Sequence, residues 1–335
     1  MYKIKRQIQI FLLITYLIVI PVSAQTTGVY SQKVYWPGNI KYSITNEYYT
    51  QNNSQEELII HFINVGQADS TLIELPERRY MLIDAGNNND GDKIIKYLRD
   101  LNIEEIDYII GTHPHEDHIG GLDQVIDNFD IGKIYLPEVT HTTKTFEDLL
   151  IAIRNKGKKI IAARSGVNIL SEDNLEIFFL SPDQDNYQEL NHHSAVIKMG
   201  YYDQSFLFTG DAEKINEEEM MKNYRESLAS NILKVAHHGS NSSTTEAFLD
   251  SVNPKYAVIS VGRDNRYGHP VPAVLERLEL RNINIYRTDL HGTIIASSDG
   301  YNISFNIESQ SIQDSEHESE NIIRIILDII NKILK

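Results

Sequence analysis

The sequence predicts an α/β protein: a mixed sheet system with helices on its outside. Two observations carry that prediction. From Leu58 to Ile307, short apolar runs rich in β-branched residues alternate with segments of helical spacing. Several of the strand-like runs also follow one another directly, as the arms of hairpins do. No short internal repeat stands out. At 335 residues the chain is long enough for one large or two ordinary domains.

The elements read in order as follows. "LIIHFINV", "STLIELP" and "YMLIDAG" are strands separated by turn residues, and "DKIIKYLRDLNI" has helical spacing. "IDYIIGTH" is a strand, "GGLDQVIDNFD" a helix opened by glycines, and "KIYLP" a strand. "TKTFEDLLIAIRNKG" is a helix with Gly157 as its stop, followed by the strand "KKIIAA". "LEIFFLSP", "AVIKMGYY" and "SFLFTGD" are three successive strands. "AEKINEEEMMKNYRES", "TTEAFLDSV" and "VPAVLERLELRN" are helices, interleaved with the strands "NILKVAHH" and "KYAVISVG". "INIYRT", "GTIIASSD" and "YNISFNI" close the domain, which spans 57–307.

The flanks differ in composition. Residues 1–24 run from basic "MYKIKRQ" through apolar "IQIFLLITYLIVI" to the small residues before Ala24, the order of a secretory signal peptide. An uncleaved anchor is the alternative, although the apolar run is short for a spanning helix. The expectation is an exported protein, extracellular or held at the cell surface. Residues 25–56 are polar and lack helical periodicity, which reads as a linker or arm. Residues 308–320 form an acidic, serine-rich linker. Residues 321–335 carry an apolar stripe of isoleucines suited to a membrane surface, a partner or the protein's own domain.

Composition narrows the chemistry. There is no cysteine, so disulfides and thiolate metal ligands are excluded, and any metal site must use His and carboxylates. The formal net charge is −16, which repels nucleic acid at long range unless cations or a local basic patch reverse the sign.

"GTHPHEDHIGG" places His113, His115, Asp117 and His118 within six positions, immediately after a strand. Four such groups carry a like-charge and desolvation cost once they converge, and a divalent cation removes it. His-x-His puts two imidazoles on one side of an extended segment, and the glycines let the backbone turn tightly. Further donors stand at strand ends: Asp84, His192 and His193, Asp211, His237 and His238. In "VGRDNRYGHP", Arg263 and Arg266 are suited to phosphate oxygens and His269 to proton donation to a leaving group. Ser240 in "HHGS" is either a ligand or substrate contact or a plain turn serine. Asp69 reads as a turn residue or one that supports a ligand.

"HPHEDH", with "LIDAG" before it and "FTGD" and "AHHGS" after it, resembles the metallo-β-lactamase superfamily over about residues 58–307. "INVGQADSTLI", "HIGGLDQVI", "NHHSAVIKM", "LKVAHHGSNSST" and "SVGRDNRYGHP" are similar to the hydrolase-like C-terminal domain of ComEC-type competence proteins. The resemblance implies a four-layer αββα sandwich with a two-metal hydrolytic site at one edge. It implies that His113 and His115 hold the first metal, Asp117 and His118 the second, and that Asp211 bridges them. His238 or His237 would complete the second metal, and His193 or His192 the first. Asp84 would orient a ligand imidazole. Ala68 stands where the relatives usually have Gly, and His115 and the "NHHS" histidines stand where many lack them. These departures favour a complete dinuclear site.

The implied cofactors are two divalent ions, Zn²⁺ ahead of Mn²⁺ or Fe²⁺. Such a pair acidifies a water for attack on phosphorus or a carbonyl carbon. The expected reaction is phosphodiester hydrolysis, on DNA or a smaller diester. Lactam or lactone hydrolysis, or a noncatalytic surface module that keeps its metals for structure, are the alternatives.

Overall fold

The computed structural model describes residues 57–307 in full and, before them, the backbone of 32–34 and 42–44. The chain divides into two units after Ser54. In the first, β1 (Gln32–Val34) pairs antiparallel with β2 (Tyr42–Ile44), Lys33 lying opposite Ser43. The polar segment read as a linker or arm therefore contains a short strand pair. The signal-like segment 1–24, the acidic linker and the C-terminal amphipathic stretch lie outside the described residues.

Among its described residues the second unit holds fifteen strands in two sheets. In chain order they begin with β3 (Leu58–Phe62), β4 (Thr71–Leu75), β5 (Arg79–Ile83), β6 (Glu105–Ile110), β7 (Asp130–Leu136) and β8 (Ile160–Ala162). There follow β9 (Asn168–Glu172), β10 (Leu175–Ser181), β11 (Val196–Tyr201), β12 (Gln204–Phe208), β13 (Ile232–Lys234), β14 (Tyr256–Ile259) and β15 (Asn284–Arg287). β16 (Ile294–Ser298) and β17 (Ile303–Phe305) close the list. The first sheet runs β17-β16-β3-β4-β5-β6-β7-β8 and the second β15-β14-β13-β12-β11-β10-β9.

The two-residue period of the strands makes the layers. On the first sheet, Met81, Ile83, Tyr108 and Ile110 face one way and join Phe179, Phe206 and Phe208 of the second sheet in a central core. Leu82 and Ile109 face the other way. They meet Ile94, Leu98, Leu122, Val125 and Leu149 of the helices α1 (Gly91–Asp100), α3 (Leu122–Asn128) and α4 (Lys144–Asn155), the short α2 (Glu116–Ile119) preceding α3. On the second sheet, Leu207, Leu233 and Ala257 turn outward to Met220, Phe248, Leu249 and Leu278. Those residues belong to α5 (Lys214–Asn223), α6 (Glu246–Val252) and α7 (Pro272–Glu279). Helix, sheet, sheet, helix is the αββα order expected. Burying each large apolar side chain contributes about 1.5–3 kcal/mol, so the core needs no disulfide.

Two elements differ from the sequence reading. β9 falls in a stretch to which the sequence reading assigns no element, because it is an edge strand with only Ile169 buried and shows no alternation. The helix predicted over 120–130 is shorter, Leu122–Asn128, and a separate short helix, Glu116–Ile119, precedes it, with Gly120 and Gly121 between the two. A Cβ at Gly120 would lie 2.3 Å from the backbone of Asn87 and Asn88, so only glycine allows this turn to press against the loop after β5.

This architecture positions the site. β5, β6 and β7 are parallel in one sheet, and β12, β13 and β14 are parallel in the other. Their carboxyl ends deliver Asp84, the 111–121 turn, Asp211 and the 236–239 turn, and ligands of open α/β sheets collect outside such ends.

Candidate metal centre

The deepest layer is a hydrogen-bonded cradle around His118. Asp84 leaves β5 in the left-handed region, φ 58°. Its carboxylate accepts from Thr112 N at 2.8 Å and Thr112 Oγ1 at 2.7 Å, and from His118 Nδ1 at 2.8 Å. With Nδ1 donating to Asp84, His118 turns its Nε2 outward, the arrangement that prepares an imidazole for a metal. That Nε2 lies 3.2 Å from Asp211 Oδ1. Both atoms are buried and neither makes a hydrogen bond. Two unpartnered buried donor atoms facing each other cost free energy that a cation between them recovers, so these residues fit a divalent metal.

His238 is prepared in the same way. Its Nδ1 donates to Ser260 O at 2.9 Å, and its Nε2 lies 3.3 Å from Asp117 Oδ2. His113 Nε2 lies 2.9 Å from His115 Nδ1 and 3.9 Å from Asp211 Oδ2. The donor atoms of His113, His118 and Asp211 lie within 4.8 Å of one another, as do those of Asp117, His118 and His238. His237 and His238 both occupy the left-handed region, φ 49° and 53°. That conformation is uncommon outside glycine and persists where the surrounding structure imposes it. His237 sends Nε2 to 3.7 Å from Asp211 Oδ2 and Nδ1 to 3.2 Å from Glu213 Oε1.

The electrostatics follow from burial and charge. Burial opposes a charge on His118, but the Asp211 and Asp84 carboxylates outweigh it and push its pKa well up. Burial, and then the neighbouring His118, push His113 well down. Burial alone would raise Asp211 and Asp117. For Asp211 the charges of His118 and His238 overturn that; for Asp117 the His238 hydrogen bond and the His118 charge do, and both acids sit below the usual carboxylate range. The His237 hydrogen bond holds Glu213 down to about 2. This cluster is a set of acids and imidazoles that share protons in the space where cations fit.

The other predicted residues are placed as follows. His193 is buried but belongs to neither triad. Its Nε2 lies 3.1 Å from Tyr187 O, and its Nδ1 is buried without a partner. His192 points to Glu213 Oε2 at 3.1 Å. Ser240 is a turn serine: its Oγ meets Ser242 Oγ at 3.0 Å and accepts from Ser242 N at 3.3 Å. A pocket of about 260 Å³ opens over the centre, lined by His115, Asp117, Asp211, His238, Tyr267 and His269 among others. His269 carries a buried, unpartnered Nδ1. Burial, and then the charges of His237 and His238, lower its pKa.

The two arginines lie outside the lining of the pocket. Arg263 donates to Asp289 O at 3.1 Å and Arg266 to the Tyr267 hydroxyl at 2.8 Å. The loop does border the site, but it presents Tyr267 and His269 there, because Asn265 bonds the backbone of both.

Sequence reasoning passed over one part of the floor. Lys234, at the end of β13, is buried and paired with Asp69 Oδ2. Asp69 Oδ1 in turn lies 3.5 Å from His238 Nδ1, and Asp69 N donates to Asp117 O at 3.0 Å. The available signal was a lone charge inside the apolar run "ILKVA", since lysine is almost never fully buried unless paired. Tyr267 and Glu213 were likewise passed over.

Comparisons with known proteins give the family. The chain is 33% identical over 252 residues to ComE operon protein 3 of Bacillus subtilis (strain 168), covering 70% of this chain and 32% of that protein. It is 28% identical over 241 residues to competence protein ComA of Neisseria gonorrhoeae, covering 72% and 32%. Recombination protein 2 of Haemophilus influenzae (strain ATCC 51907 / DSM 11121 / KW20 / Rd) is 28% identical over 237 residues, covering 69% and 28%. The chain thus spans about a third of the length of these relatives. A family model described as the metallo-beta-lactamase superfamily matches residues 63–263. With its αββα layers and its histidine–aspartate centre at the strand ends, the chain belongs to the metallo-β-lactamase superfamily.

Proposed function

We propose that the protein is a metal-dependent phosphodiesterase of nuclease type, with a two-cation centre. The observation that carries this reading is the convergence of the His113, Asp117, His118, Asp211 and His238 donor atoms beside one pocket. In this reading His113, His115 and Asp211 hold one ion, joined by His193 through its free Nδ1. Asp117, His118, His238 and the shared Asp211 hold the other. When bound, the ions supply Lewis acidity, acidifying water and offsetting charge on the phosphoryl oxygens.

The chain's own residues do the rest. Asp84 and the Ser260 carbonyl fix the His118 and His238 tautomers, so their Nε2 atoms are presented without reorganisation. Glu213 orients His237 at the pocket wall. His269, which lines the pocket, exchanges a proton with the leaving oxygen. Arg266, at the outer lip, offers a planar cation to a substrate phosphate beyond the centre.

The test is hydrolysis by the purified protein, with Zn²⁺ or Mn²⁺, of plasmid DNA, single-stranded DNA and a chromogenic phosphodiester. Asp117→Ala is expected to lose at least about 100-fold in rate while the fold is kept. Failure to cleave any of these, with metal demonstrably bound, overturns the reading in favour of lactam or lactone hydrolysis or a noncatalytic role.

A further inference from the structure

Tyr267 stands at the mouth of the pocket and is 56% exposed. The loop that carries it is stapled in place. The Asn265 side chain accepts from Tyr267 N at 3.2 Å and His269 N at 3.0 Å, and donates to Gly262 O at 2.9 Å and His269 O at 2.6 Å. Both ends are anchored as well. Gly262 N donates to Gln67 Oε1 at 3.0 Å and Val271 N to Gly239 O at 3.0 Å. A Cβ at Gly239 would lie 2.5 Å from Pro270 Cβ, so the loop is pressed against the histidine turn.

The ring is also flanked. It stacks on His269 with centroids 5.8 Å apart and planes at 24°. The Arg266 guanidinium lies 4.9 Å from its centroid and donates to its hydroxyl. A ring more than half exposed on a rigid loop has already met the ordering cost that binding would impose. Its complement is a flat π-face with an anion beside it.

We propose that Tyr267, with Arg266 at its hydroxyl, is a stacking subsite for an unpaired nucleobase flanking the scissile phosphodiester. The substrate class is then single-stranded nucleic acid. This rests on the phosphodiesterase reading for the word scissile, and on the loop for the base. One further fact favours a single strand: a duplex hides its base faces inside the stack. A chain of net charge −16 gains little from a polyanionic backbone, paired or not. Stacking, which is sequence-tolerant and needs no charge, supplies what electrostatics withholds.

The test measures binding and cleavage separately. Fluorescence anisotropy uses short single-stranded deoxy- and ribo-oligonucleotides, the same strands with abasic sites, and the duplex. The base-bearing single strand is expected to bind about tenfold more tightly than its abasic counterpart. Tyr267→Ala brings that ratio close to one, and Tyr267→Phe, which keeps the π-face, retains it. The two sugars distinguish DNA from RNA as the source of the base. Equal binding of abasic and base-bearing strands, no binding of either, or a preference that survives Tyr267→Ala overturns the subsite. Base-dependent binding with no cleavage of any diester supports the subsite and overturns the phosphodiesterase reading instead. Cleavage with no base preference does the reverse.

Discussion

Asp84, Thr112, His118 and Asp211 form a continuous chain of contacts on the floor of the site, and none is more than 3% exposed. Arg263, Arg266 and Tyr267 on the rim are exposed, and the two arginines reach only a backbone carbonyl and the neighbouring tyrosine. On the floor a side chain's orientation is dictated by several partners at once. On the rim it is dictated by the loop alone. The floor therefore fixes chemistry, and the rim is free to select what enters.

The largest effect expected from this contrast concerns the Asp69–Lys234 pair, where both side chains are 4% exposed. Lys234→Met leaves a buried carboxylate without its cation and should cost about 3–5 kcal/mol. Urea unfolding of the metal-free protein measures it. The double variant Asp69→Asn/Lys234→Met should recover at least half. A loss below about 1 kcal/mol for the single variant would mean that the floor is as loosely held as the rim.

A second comparison uses metal affinity. Asp84→Asn keeps the left-handed backbone that Asn tolerates but removes the negative charge and one of the two acceptor oxygens that Thr112 and His118 use. Affinity for Zn²⁺ or Mn²⁺ in competition with a chelator should fall about 10- to 100-fold. Arg263→Ala, on the rim, should leave it unchanged.

The smallest effect tests whether the floor's pairing is what matters. Lys198, elsewhere in the second sheet, is 7% exposed, and its Nζ bonds Ala229 O and Ser230 Oγ at 2.7 Å, with no carboxylate in that set. Burial lowers its pKa from 10.5 to about 8. Between those values the unfolded chain binds a proton that the folded chain does not, so this group makes stability rise as pH climbs from about 8 to 10.5. Lys198→Met should flatten that rise by roughly 1–3 kcal/mol relative to the parent, read from unfolding curves across the range. An unchanged pH profile would show that Lys198 is solvated in the fold.

The floor was largely legible in the sequence, and the rim was not. "HPHEDH", "FTGD" and "AHHGS" announce their donors because each stands where an apolar strand run ends, and strand ends of parallel sheets meet at one edge. Alternation likewise exposed both sheets. Lys234 escaped because its partner Asp69 is 165 positions away, and no local pattern links them. His192 and His193 remained equivalent in sequence. A single residue of offset in a short turn decides which is buried, and the structure buries His193. The arginines of "GRDNRYGHP" drew attention by their charge, but the hydrogen bonds of Asn265 determine what the loop presents, and those depend on backbone turns that composition does not encode.

The two halves of the centre come from distant parts of the chain. The histidine turn follows the first sheet's strands, while Asp211 and His238 follow the second's, and the contact between Asp117 and His238 spans 121 positions. A nascent chain leaving the ribosome thus displays its first donors long before their counterparts exist, and Ser260, which fixes His238, later still. An unfinished or truncated product therefore carries only half of the candidate centre, which is complete only when most of the domain has been synthesised and closed.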